Sequence, residues 1–153
     1  MNKKLAALAS ATLLAASVFV GCGKSASGMK DGTYKAEYDN VDTKGWKAFV
    51  ELKVAKGKIT EATYDYVNAN NELKTKDQKY EEAMKAKNGT YPAKYTEELE
   101  KALVEKQDVT KVDKVTGATS SSDHFKSLAE AAIKNANEGK TEVTKLPQPD
   151  VKK

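Results

Sequence analysis

The chain has 153 residues, with 26 basic and 22 acidic side chains, one Cys, one His and no Arg. That length suits one domain of ordinary size and leaves little room for a second. A lone Cys excludes an intramolecular disulfide, and one Cys with one His excludes a Cys/His zinc site built from this chain alone.

Hydrophobic residues make up 39% of the chain, yet its first 21 residues are mostly apolar. Met1-Asn2-Lys3-Lys4 is a positive start, and Leu5 to Val20 is an uncharged run rich in Ala, Leu and Val. This is the pattern of a secretory signal. The run is short for a membrane span of about 20 residues, and Lys24 closes its far end. Phe19-Val20-Gly21-Cys22 resembles a bacterial lipobox, with Phe19 standing where Leu is usual. The resemblance implies that residues 1–21 are a lipoprotein signal peptide and that Cys22 carries the lipid anchor. Cleavage removes Lys3 and Lys4, taking the formal net charge from +4 to +2. The remaining Lys residues are scattered among Glu and Asp, with no clustered basic face for nucleic acid.

Residues 22–30 follow as a Gly/Ser-rich tether. Asp31-Gly32 opens a strand in which Tyr34, Ala36 and Tyr38 alternate with Thr33, Lys35 and Glu37. Trp46, Ala48, Val50, Leu52 and Val54 then share one face of a second strand, and only Phe49 interrupts the polar face opposite. Ala55-Lys56-Gly57-Lys58 predicts a hairpin turn, returning into a third strand over Ile59 to Val67. Thr75, with Gln78 three residues on, predicts a capped helix through Lys87. Tyr91-Pro92 predicts a break, and Thr96 a cap for a helix over Glu97 to Lys106. Phe125, Leu128, Ala129, Ala132, Ile133 and Ala136 recur at helical spacing in a last helix over Asp123 to Asn137. The whole predicts an α+β fold, an antiparallel β-meander packed with about three helices. Residues 139–153, with Pro147, Pro149 and scattered Lys, read as a disordered tail.

The segment before the last helix carries the chemistry. Thr119 falls at or just before a helix start, where unpaired N–H groups and the positive end of the dipole favour a phosphate. Gly117 and Ala118 are small enough to let a bulky group near the backbone. Ser120 and Asp123 have capping-box spacing, and a Ser/Thr cluster of this kind serves equally well as a plain helix cap. His124 reads as a surface or capping residue of the first turn.

Asp113-Lys114-Val115-Thr116-Gly117-Ala118-Thr119-Ser120 resembles the flavinylation motif of the FMN-binding domain family: Asp, two variable residues, Ser or Thr, Gly, Ala, then the acceptor Thr. The family includes the C subunit of the sodium-translocating NADH:quinone reductase, the G subunit of the Rnf complex, and small lipoproteins of Gram-positive bacteria. The resemblance spans most of the mature chain, including Asp31-Gly32-Thr33-Tyr34 and Gly57-Lys58-Ile59-Thr60. It implies one FMN-binding domain over residues 31–138, with FMN joined to Thr119 as a phosphoester by a flavin transferase. Asp113, Thr116, Gly117, Ala118 and Ser120 are then recognition and close-approach positions. It further implies a carrier on the extracytoplasmic face of a cell membrane, Gram-positive by its branch. Its donors would be a membrane NADH dehydrogenase or the quinone pool, and its acceptors extracellular oxidants such as ferric iron. Reductase activity would arise only as reduced flavin meets an acceptor. Trp46, Tyr64, Tyr66 and Tyr91 are candidates to border the ring, with core packing the competing role for the first three. The alternatives are a lipoprotein that holds flavin or another ligand without a covalent bond, and a pheromone precursor whose signal peptide is the active product.

Overall fold

The computed structural model describes residues 28–149. The predicted signal peptide, Cys22 and most of the tether lie outside the described residues. Three antiparallel strands follow in order, β1 (Gly32–Tyr38), β2 (Lys47–Ala55) and β3 (Lys58–Val67). Lys56 and Gly57 both have positive φ at the β2–β3 turn, the backbone of a two-residue hairpin whose twist matches its strands. Between Lys53/Val54 and Glu61/Ile59 the register shifts, leaving Thr60 as the extra residue. The bulge puts Ile59 on the same buried face as Ala62, Tyr64 and Tyr66, which simple alternation would not do.

The buried face of the sheet meets two helices. Helix α3 (Thr119–Glu138) crosses β1 and β2, burying Phe125, Leu128, Ala129, Ala132 and Ala136. Its three alanines let the helix axis lie close to the sheet, while Phe125 and Leu128 each contribute about 1.5–3 kcal/mol by leaving water. Helix α2 (Pro92–Lys106) packs on β3 through Tyr95, Leu99 and Leu103. It also closes the edge of β3: Glu100 accepts from Tyr64 N at 2.7 Å, and Gln107 bonds both the N–H and C=O of Ile59. The opposite sheet face is polar, with Glu37 paired to Lys35 and Lys47. Phe49 sits among those charges beneath Lys35, whose Nζ is 4.9 Å from the ring centroid.

Three sequence expectations shift. Tyr91-Pro92 starts α2 rather than breaking the chain, because Pro at the first helical position gives up only an N–H that had no partner; Thr96 is buried inside the helix instead of capping it. Thr75 does not cap helix α1 (Gln78–Asn88). It donates to Asp65 Oδ2 at 2.6 Å, fixing the 3-10 turn Lys74–Lys76 against β3, and Asp77 caps α1 by accepting from Tyr80 N at 3.0 Å.

The third shift concerns the tail. Residues 139–149 are not disordered: Thr144–Leu146 form β4, parallel to β1, giving the order β3-β2-β1-β4. The free edge of β1 supplies the backbone partners, and Asn135 of α3 holds the return through Thr144 Oγ1 at 2.6 Å. Asp39 N donates to Leu146 O at 2.8 Å, and Gln148 N to Asp39 Oδ1 at 2.9 Å. The sheet is therefore mixed, while the α+β class and the three α-helices stand as expected.

Candidate functional site

The site starts from a turn. Val115-Thr116-Gly117-Ala118 closes with Ala118 N donating to Val115 O at 3.0 Å, and Gly117, the third residue, has φ +82°. That conformation favours Gly. A Cβ there would also stand 2.5 Å from the carbonyl oxygen of Asn88, at the end of α1. Both backbone geometry and close approach therefore require the glycine.

Ser122, fully buried, ties the turn to the helix. Its Oγ accepts from Val115 N at 3.0 Å and donates to Ala118 O at 2.9 Å. Helix α3 then starts at Thr119, four residues earlier than the apolar periodicity indicates. The capping box between Ser120 and Asp123 does not form: Ala118 occupies the cap position with no side-chain bond to the helix. The first turn holds no acidic residue, and the N–H groups of Thr119, Ser120 and Ser121 have no acceptor among the described residues. Thr116, Gly117, Thr119 and Ser120 are exposed and Ala118 is buried beneath them. Asp113 lies apart on the surface, where Lys106 Nζ at 2.9 Å holds its carboxyl below the usual range.

Beside this helix start lies a cleft of about 480 Å³, a volume suited to a cofactor-sized ligand. Ser120, Ser121, Asp123, His124 and Ser127 of α3 form one wall. Tyr38, Tyr66 and Tyr80 supply aromatic surface, and Asp42, Thr43, Lys44 and Pro149 form the rim. Tyr64 OH, fully buried, sits 2.6 Å from Tyr66 OH and 2.7 Å from Ser121 O, so the sheet grips the first turn of α3. Tyr66 OH in turn lies 3.1 Å from His124 Nδ1, and the His124 ring stands edge-on to Tyr38 at 5.3 Å. Burial pushes the Tyr38 phenol up to about 12 and holds the His124 imidazole below its ordinary value, so both are neutral at pH 7. Lys74 completes the lining with its stem buried.

The contiguous candidates Thr116 to Ser120 thus come together at one helix start, and Ser120 continues into the cleft. Of the aromatic candidates, Tyr66 lines the cleft and Tyr64 is core. Trp46 is buried beside Lys74 and lines a separate cleft with Asn68 and Glu72, and Tyr91 lies elsewhere under Lys85. His124 is not a surface cap but part of the cleft wall, because α3 begins early enough to turn it toward Tyr38 and Tyr66. Sequence reasoning missed Tyr38 and Tyr80 as cleft residues, and Lys74 altogether. Tyr38 had a signal, as the last apolar position of an alternating strand; Lys74 had none.

The residues present fit a flavin mononucleotide. Three unpartnered amides at a helix start suit a phosphate, and aromatic faces line a cleft next to it; the glycine before them makes room for Asn88 O rather than for a ligand. The chain is 40% identical over 118 residues to a 15 kDa lipoprotein of Treponema pallidum, covering 77% of this chain and 84% of that one. It also resembles a crystal structure of a Clostridium perfringens protein, with 48% identity and a TM-score of 0.76 over 79% of this chain and 99% of that one. The model of the FMN-binding domain matches residues 45–134, from the start of β2 through the site turn into α3. By that match the chain belongs to the FMN-binding domain family.

Proposed function

We propose that this protein is a flavin-binding lipoprotein of the extracytoplasmic membrane face that carries FMN covalently on Thr119. It passes electrons from a membrane NADH dehydrogenase or the quinone pool to extracellular acceptors such as ferric iron. The observation that carries this reading is Thr119 itself: an exposed residue at the first position of α3, followed by amides that no side chain caps. In the transfer, Thr119 Oγ1 bonds to the FMN phosphorus of FAD, the pyrophosphate linkage breaks with AMP leaving, and the hydroxyl proton goes to solvent. The amides of Thr119, Ser120 and Ser121 then face the negative charge of the phosphoester. Asp113, exposed at the motif's start, is available to the transferase rather than to the cofactor.

Membership of the family and similarity to a named lipoprotein support the cofactor and the anchor at Cys22. A covalent bond also suits an exported carrier, since a loosely held flavin is lost by dilution. When bound, flavin supplies one- and two-electron chemistry, bridging hydride-type donors and metal acceptors. The protein's share is to orient the ring and set its potential.

Co-expression with a flavin transferase should add the mass of one FMN less one water to the mature chain. Thr119→Ala should abolish the increment and Thr119→Ser should keep it. Flavin that leaves on denaturing dialysis would indicate non-covalent binding and overturn the Thr119 linkage.

A further inference from the structure

Lys74 occupies an unusual position. It is 5% exposed, and none of the ion pairs or side-chain hydrogen bonds among the described residues includes its Nζ. The ammonium instead stands over three rings, 4.2 Å from the centroid of Tyr80, 4.4 Å from Tyr66 and 5.7 Å from Trp46. Aromatic faces repay only part of the hydration a buried cation loses. Asp42, Asp65 and Asp77 act on the ammonium through space, but none bonds it. Asp42 accepts from Lys44 N and Trp46 N, Asp65 from Thr75 and Tyr66 N, and Asp77 from Tyr80 N. The Asp65–Thr75 bond fixes the turn that carries Lys74, and the side chain packs from there over the Tyr66 and Tyr80 rings. A cation with its stem buried and its unbonded ammonium on a cleft lining points to an anionic occupant.

We propose that the Lys74 ammonium is the charge that sets the potential of the cofactor, by facing the negative charge the flavin gains on reduction. The proposal rests on the reading that FMN on Thr119 lies in this cleft. Two electrons from a reductant of the dithionite class, arriving with one proton from water, leave the cofactor one unit more negative. Lys74 offsets that unit and so favours the reduced form. Burial also lowers the Lys74 pKa to about 8, so the compensating charge is present at neutral pH and fades as pH rises through that value.

Reductive titration of the FMN-loaded wild type, Lys74→Met and Lys74→Arg against reference dyes tests this. At a fixed potential near pH 7, Lys74→Met should shift the reduced-to-oxidised ratio about tenfold toward oxidised, about 30 mV for a two-electron couple. Lys74→Arg should restore the wild-type value. The gap between wild type and Lys74→Met should start to narrow near pH 8 and close about one unit higher, above the Lys74 pKa of the reduced protein; Asp42, Lys44, Asp65, Asp77, Asp123, His124, Tyr66 and Tyr80 face the site equally in both proteins. Loaded, folded Lys74→Met with the wild-type potential overturns the proposal and leaves the Thr119 reading standing. Absence of an FMN mass on the wild type overturns the Thr119 reading instead. Should Lys74→Met not fold, NMR titration of the Lys74 ammonium in loaded wild type decides: its pKa should rise on reduction, and an unchanged pKa rejects the proposal.

Discussion

Helices α1 and α3 start in opposite ways. At α1 the preceding Asp77 turns its carboxylate onto Tyr80 N, so the helix closes its own open end and carries its own counter-charge. At α3 the cap position falls on Ala118, the first turn has no acid, and the one buried serine nearby bonds backward to Val115 and Ala118. The fold spends its hydrogen bonds on holding the turn in shape and leaves the helix end open. A sequence rich in capping residues is therefore no guide to whether a helix is capped; what matters is where each hydroxyl is already engaged. The end of α1 also meets the turn that leads into α3, where the carbonyl of Asn88 lies against Gly117.

The largest effect should come from that meeting point. Gly117→Ala must hold φ near +82° with a Cβ and move Asn88 O from 2.5 Å, so it should destabilise the protein by about 2 kcal/mol or more. Thermal unfolding measures it, and flavin loading should fall with it because Thr119 follows directly. A melt equal to wild type would mean the turn relaxes freely and is not the anchor of the site. Asp77→Ala comes next, with about 1 kcal/mol lost from the cap of α1 and loading by the transferase unchanged. A loss of loading would show that α1 positions the site through more than its C-terminal carbonyl. The smallest effect has the opposite sign. Ser120→Glu places a negative charge in the open first turn of α3 and should stabilise the unloaded protein by about 0.3–1 kcal/mol. The same charge repels the phosphate, so the flavin increment by mass spectrometry should drop. Stabilisation with full loading would separate the phosphate from the helix end.

Strand alternation in β1 to β3, the hairpin at Gly57 and the apolar stripe of α3 were legible in the sequence because each is a local pattern with a fixed period. The bulge at Thr60 and the strand Thr144–Leu146 were not. Three residues with one apolar side chain cannot announce a strand; they become one because β1 has a free edge and Asn135 holds the return. Thr75 and Ser122 illustrate the same limit at single residues. Each is a good capping residue by type, and each is drawn away by a partner distant in sequence or by its own turn.

The opening composition left a protein with one Cys, one His and no means of building a Cys/His zinc site from them. The sequence by itself determined the α+β class, the motif from Asp113 to Thr119 and the place of Thr119 at a helix start, since these depend on neighbours along the chain. Only the tertiary structure decided the cleft. Tyr38, Tyr66, Lys74, Tyr80 and His124 come from two strands, a 3-10 turn and two helices, and no spacing in the sequence records that they meet. A covalent attachment point needs one residue in the right backbone setting; a surface to hold a ring needs side chains that only packing brings together.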